Sequence, residues 1–155
     1  MTRIDSLRSR SGRARALLAV AGMAVMTFAA GAQPAAGQNV VVHLTHYADN
    51  VHAVNMAVHL AREMQAAGAH VTLLLDLEGV RLAGAEKAGG AALEQEQSIV
   101  NDFDAFVQAG GAVLLCPHCA ARAGLADGHL RAGARIGKTG EFSQVILAAD
   151  KILDY

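Results

Sequence analysis

The chain has 155 residues, with 13 Lys and Arg against 14 Asp and Glu, a formal charge of −1. Five of the cations (Arg3, Arg8, Arg10, Arg13 and Arg15) precede residue 16, and no basic run follows them. With no Trp, two Tyr and four Phe, the composition excludes a nucleic-acid surface, which needs clustered cations and stacking platforms.

The first predicted element is an export signal. The five arginines lead into an uncharged apolar run from Ala16 to Ala30, followed by the small triplet Ala30-Gly31-Ala32. This is the basic, apolar and small-residue order of a secretory signal peptide. The run is about 15 residues, short of the roughly 20 that span a bilayer as a helix. A cleaved Sec-type signal over residues 1–32 is therefore favoured over a retained anchor. No Arg-Arg pair supports the twin-arginine route, and no cysteine stands near the cleavage region for a lipid anchor. The expected location is periplasmic or secreted, with no stable membrane insertion after cleavage. Cleavage takes Lys and Arg from 13 to 8 and Asp and Glu from 14 to 13, a formal charge of −5. Residues 33–155 are enough for one domain with its own core.

Three short apolar runs follow, Asn39 to Thr45, His70 to Leu75 and Ala112 to Cys116. Continuous Val and Leu runs of this length suit strands buried on both faces of a parallel sheet. Between the first two, Asp49 or Asn50 caps a predicted helix to about Ala67. Val51, Val54, Val58 and Ala61 form its stripe and Gly68 ends it. The segment from Leu77 to Ala92 has weak periodicity and is predicted as a loop over the strand ends, with room for a short helix. A second helix spans about Leu93 to Ala109, with Ile99, Val100, Phe103, Phe106 and Val107 toward the core. Glu141 to Ala149 is a further helix, and Lys151 to Tyr155 a closing strand. This alternation predicts an α/β fold, a three-layer α/β/α sandwich with right-handed crossovers.

The only two cysteines stand in Cys116-Pro117-His118-Cys119. The third strand leads into Cys116, and Ala120 to Ala123 continue as helix. Cys116 is thus expected where a strand ends and a helix begins, where N–H groups and the helix dipole favour a thiolate. Pro117 suits the first helical position, and His118, if protonated, adds a second influence on the anion. Such a thiolate is nucleophilic, and the carboxyl ends of parallel strands are where ligands bind. A structural disulfide would close only a tiny loop and restrain the unfolded chain little, so a reactive pair is the stronger expectation. The same tetrapeptide occurs in thioredoxin-like oxidases, but those carry it near the N-terminus and face it with a cis-proline. Here it follows three strand signals, and Pro34 and Pro117 are the only prolines.

Together these residues resemble the DsrE/DsrF-like (DsrE/TusD/YchN) family over about Asn39 to Tyr155. The resemblance rests on the opening HLTHYADNVHAVNMAVHLA, the Glu78-Gly79-Val80 turn, and Cys116 with Gly124 eight residues on. It rests also on the Cys-x-x-Cys form with Arg122, and on the closing Ala149–Leu153 pattern. It implies a five-stranded parallel sheet over residues 39–155 and a homo-oligomer, trimer or hexamer. It also implies a role in handling sulfur, with a protein sulfur donor or acceptor as partner. Cys116 would then carry sulfur as a persulfide and Cys119 would resolve it to a disulfide. The alternative is a non-catalytic oligomeric module that binds a small ligand or a metal in the periplasm.

Seven histidines raise the question of metal. His52 and His59, seven residues apart on one helix, are separated by about 10 Å and do not share an ion. His43 falls within the first strand and His46 in the loop after it. If the first and third strands are neighbours, His46 approaches Cys116 and, with His118, lines a pocket there. Zinc or copper on Cys116, Cys119 and one of these histidines is chemically allowed. No second ligand pair stands at a metal spacing, so neither a metal nor another cofactor is expected.

Overall fold

A computed structural model describes residues 37–85 and 93–155. The expected export signal lies outside them. Strand β1 (Asn39–Leu44) is followed by α1 (Val51–Ala66), β2 (His70–Leu75) and a 3₁₀ helix (Leu77–Ala83). Then come α2 (Leu93–Gln108), β3 (Ala112–Leu115), α3 (Pro117–Arg122) and a 3₁₀ turn (Asp127–His129). Strand β4 (Ala134–Ile136), α4 (Glu141–Leu147) and β5 (Lys151–Asp154) complete the order. All pairings are parallel, in the order β4-β3-β2-β1-β5. The fold is the expected α/β sandwich.

Local chemistry accounts for the element ends. The Asn50 side chain accepts a hydrogen bond from Ala53 N–H at 3.1 Å and caps α1, supplying a partner to an otherwise orphaned helical donor. Gly68 closes the helix at φ +94°, a left-handed conformation that glycine adopts without steric cost. Between α1 and α2, Gln65 donates to the Ala109 carbonyl at 3.1 Å and accepts from Val71 N–H at 2.9 Å. That one side chain ties both helices' ends to β2.

The helical layers are unequal. On one sheet face, α1 and α2 enclose a core built from Val40, Val42, Leu44, Leu73, Leu75, Val113 and Leu115. Phe103 and Phe106 of α2 are fully buried in it, and each side chain of this size contributes roughly 1.5–3 kcal/mol by burial. On the other face, Val41, Leu74 and Leu114 are buried beneath Phe142, Val145 and Ala149.

Four details differ from the sequence expectations. Strand β4 has no apolar run; its three residues are held by pairing Val113 to Ala134 and Leu115 to Ile136, a tertiary cause invisible locally. Strands β1 and β3 are not neighbours, because β2 lies between them. The stretch after β2 is a 3₁₀ helix whose Val80, Leu82 and Ala83 are buried, so packing orders what periodicity left open. Cys116 ends outside β3 and stands instead at the N-cap of α3.

Candidate functional site at the carboxyl ends of the strands

The parallel register brings the ends of β2 and β3 side by side, with Leu75 opposite Leu115. The next residues, Asp76 and Cys116, are therefore neighbours at one edge of the sheet. Cys116 N–H donates to the Leu75 carbonyl at 2.8 Å. Its own carbonyl accepts the first helical bond of α3, from Ala120 N–H at 2.9 Å. Pro117 takes the first helical position, where its missing N–H removes nothing. One helical turn brings Cys119 back beside Cys116.

Both cysteines are free thiols and partly buried. Burial pushes the Cys119 thiol up, and its hydrogen bond with Cys116 pushes the same way. The Leu77 N–H, which also bonds this sulfur, pulls it partly back, while the charges of Cys116 and Asp76 raise it further. Cys119 is thus held toward its protonated form. Leu77 donates from a left-handed conformation, φ +45°, with its side chain 63% exposed. A β-carbon makes this conformation costly by about 1–2 kcal/mol, so surrounding contacts must hold it. The close approach of the 3₁₀ helix to β1 supplies one. Gly79 N–H bonds the Thr45 carbonyl at 3.1 Å, and a β-carbon on Gly79 would lie 2.2 Å from the Leu44 carbonyl oxygen.

A third group completes the site. His43 of β1 has its Nδ1 2.7 Å from Asp154 Oδ1 and its Nε2 3.2 Å from Asp76 Oδ2. The first is a hydrogen bond. The second is an ion-pair contact without hydrogen-bond alignment, and Asp76 Oδ1 is buried with no hydrogen-bond partner. Phe142 meets the imidazole edge-on, ring centres 6.4 Å apart. Burial alone would lower the His43 pKa, but the hydrogen bond to Asp154, the close contact with Asp76 and both charges outweigh it and hold it above 6.5.

Of the residues singled out from sequence, the fold joins Cys116 and Cys119. His118 lies between them but is exposed. His46 pairs with Asp49, three residues on, and the strand order removes the reason for placing it against Cys116. Asp76, directly after β2, and not a group from β1's loop, is the neighbour of the thiols. His43 went unnoticed as a site residue. Strand alternation puts Val41 and His43, Leu74 and Asp76, and Leu114 and Cys116 on one face, and that parity was the available signal. No cluster of three or more metal-binding side chains exists among the described residues. A cleft of about 240 Å³, lined by Asn39, His70, Ala112 and Ala149 among others, lies at the opposite, amino ends of the strands. Parallel sheets bind ligands at their carboxyl ends, so the cleft's position argues against it as the reaction site.

The family model described as the DsrE/DsrF-like family matches residues 38–155. The chain is similar in fold to the ychN protein from E. coli, at 22% identity and a TM-score of 0.58, covering 77% of this chain and 99% of that one. It is similar to MTH1491, a protein of unknown function from Methanobacterium thermoautotrophicum, at 12% identity and a TM-score of 0.60, with coverages of 76% and 99%. A conserved protein of unknown function from Bacteroides thetaiotaomicron, BT1422, aligns at 16% identity and a TM-score of 0.53, over 76% of this chain and 95% of its own. No curated protein matches.

Proposed function

The chain belongs to the DsrE/DsrF-like family, and on that premise we propose that it handles sulfur through the Cys116–Cys119 pair. The observation that carries the proposal is the pairing of two free, hydrogen-bonded thiols at the end of β3. Cys116, at the N-cap of α3, is the nucleophile. Its thiolate attacks the terminal sulfur of a sulfane donor; a new S–S bond forms, and the donor's broken S–S bond leaves its electron pair on the shortened donor. Cys119 then attacks Cys116 Sγ. The disulfide forms, the terminal sulfur departs as hydrosulfide with the electron pair, and the Cys119 proton passes to a base. Two thiol sulfurs are oxidised and one sulfane sulfur is reduced. A raised Cys119 suits this order, since a resolving thiol that stays protonated leaves the persulfide intact until proton transfer is available.

The arginine-rich, apolar and small-residue start of the chain supports export, and cleavage after Ala32 is the proposed processing. The proposed homo-oligomer has a surface to use. On the α4 and β5 side, Leu147 is 85% exposed, Ile152 45% and Ile146 37%, apolar side chains of the kind a subunit contact covers.

Mass spectrometry of mature protein, made in a secretory host without reductant, tests the central step before and after polysulfide. The expected result is a species heavier by one sulfur, or conversion of reduced protein to the disulfide with hydrosulfide released, both lost in Cys116→Ser. A Cys116–Cys119 disulfide that neither polysulfide nor dithiothreitol alters would sink the proposal. The same spectra report whether the chain begins after Ala32.

A further inference from the structure

We propose that Asp154, His43 and Asp76 form a proton chain for the thiol pair: Asp76 exchanges the proton that Cys119 releases on attack and regains on reduction, and His43 and Asp154 are positioning residues behind it. The inference deepens the sulfur-handling proposal, since it rests on the same reactive pair, but it needs only thiol chemistry and no sulfane sulfur.

The geometry leaves a place for a stored proton: His43 Nε2 and Asp76 Oδ1 are both buried without a hydrogen-bond partner. A neutral imidazole has one N–H, yet carboxylate oxygens face both ring nitrogens of His43, at 2.7 and 3.2 Å. One contact is satisfied by the ring's own proton; the other is attractive only with a second proton, on the imidazole or on Asp76. The groups facing the ring are Asp76 from the end of β2, Asp154 from β5 and the edge of Phe142 from α4. Among the described residues, neither carboxylate forms an ion pair with a lysine or arginine.

The chain also has a direction. Asp154 is 76% exposed, while His43 and Asp76 are 21% and 22% exposed. Asp154 and His43 come from the adjacent strands β5 and β1, in register with each other, and Asp76 directly follows β2, the next strand. They lead from water at Asp154 to Asp76, whose charge acts on Cys119. The two carboxylates raise the His43 pKa above its ordinary value, which favours keeping a proton in the chain.

The step balances. When an aromatic disulfide reacts with Cys116, one aryl thiolate leaves and a mixed disulfide remains. Cys119 Sγ then bonds to Cys116 Sγ, the mixed S–S bond breaks, a second aryl thiolate departs with its electron pair, and the Cys119 proton goes to Asp76. Reduction of the resulting disulfide by an added dithiol returns the proton to Cys119. A store filled at low pH cannot accept, so the second release accelerates as pH rises through the His43 titration.

Release of the two chromophoric thiolates from 5,5′-dithiobis(2-nitrobenzoate), followed by stopped flow across pH, tests this. In the wild type the second phase is expected to show an inflection near neutrality in addition to the alkaline thiol ionisation. In His43→Gln and Asp76→Asn that inflection is lost and the second phase at pH 7 falls about a hundredfold, the low end for a positioned acid–base group. The first phase, Cys116's own attack, falls much less than the second. Asp154→Asn, at the exposed end, reports the same loss of inflection with a smaller drop, and serves if His43→Gln does not fold. Retention of the inflection in the variants would overturn the proposal, as would equal slowing of both phases in a variant with a native circular dichroism spectrum. Loss of polysulfide loading with this pH profile intact counts against sulfur handling alone. Loading with no such inflection counts against the proton chain alone.

Discussion

The α1–α2 face of the sheet and the α4 face are built from the same strands yet do different work. Strand alternation sends Val40, Val42, Leu44, Leu73, Leu75, Val113 and Leu115 to the first face, beneath two long helices. It sends Val41, Leu74 and Leu114 to the second, and then, one pleat further on, His43, Asp76 and Cys116 at the strand ends. Among the described residues, the helix over the second face is the seven-residue α4. A dry, close-packed layer secures the fold, and the thinner layer leaves the strand ends where polar groups stay partly hydrated and reactive. Stability and chemistry are thus separated by the parity of the residue number.

Substitutions can break that separation or sharpen it. Phe103→Ala, deep in the first face, is expected to cost about 3–5 kcal/mol, read as a lower denaturant midpoint. If the division holds, the surviving folded fraction keeps its thiol reactivity. Gly79→Ala joins the two regions, because the 3₁₀ helix that contains it presses on β1 and also carries the Leu77 N–H to Cys119. Overpacking there should cost about 1–3 kcal/mol, and alkylation of Cys119 should change as well. Unchanged Cys119 reactivity would show that the Leu77 contact is incidental.

On the second face, His43→Gln should alter stability with a pH dependence of defined sign. The folded His43 pKa is raised above 6.5, so its protonation stabilises the fold fully below about pH 6.5, and that contribution disappears as pH rises through the raised value. The wild type should therefore melt above the variant in mild acid, with the gap closing at alkaline pH. A gap that widens with pH would contradict the assigned protonation. The smallest effect belongs to Glu141, paired with both Arg135 nitrogens and with Lys138 N–H. The hydrogen bonds from Arg135 hold its carboxyl near 2 rather than 4.5. A depressed carboxylate stabilises above its ordinary pKa and loses that contribution as pH falls toward 2. Glu141→Gln should thus flatten acid unfolding slightly in that window and leave neutral stability nearly unchanged, as exposed pairs contribute little.

Much of this architecture was legible along the chain, and its failures have a common cause. Val and Leu runs, the Asn50 cap, the Gly68 stop and the Ile99–Phe103–Phe106 stripe are local signals, and each became the element it announced. Cys116 before Pro117 marked the strand-to-helix step, and that too was local. Strand β4 was missed because three residues without an apolar run become a strand only by bonding to β3. His46 was drawn toward Cys116 by supposing β1 and β3 adjacent, and strand order is not written in any one strand.

The amino-acid sequence by itself determined most of the strands and helices, which cysteine caps α3, and how residues alternate between faces, since these follow from backbone geometry and side-chain periods of 2 and 3.6. Only the tertiary structure decided that Asp76 rather than His46 faces the thiols and that His43 stands between two carboxylates. Those contacts join residues as far apart as His43 and Asp154. They exist because parallel pairing aligns strand ends that the sequence keeps distant, and register between strands is set by the packing of the whole sheet.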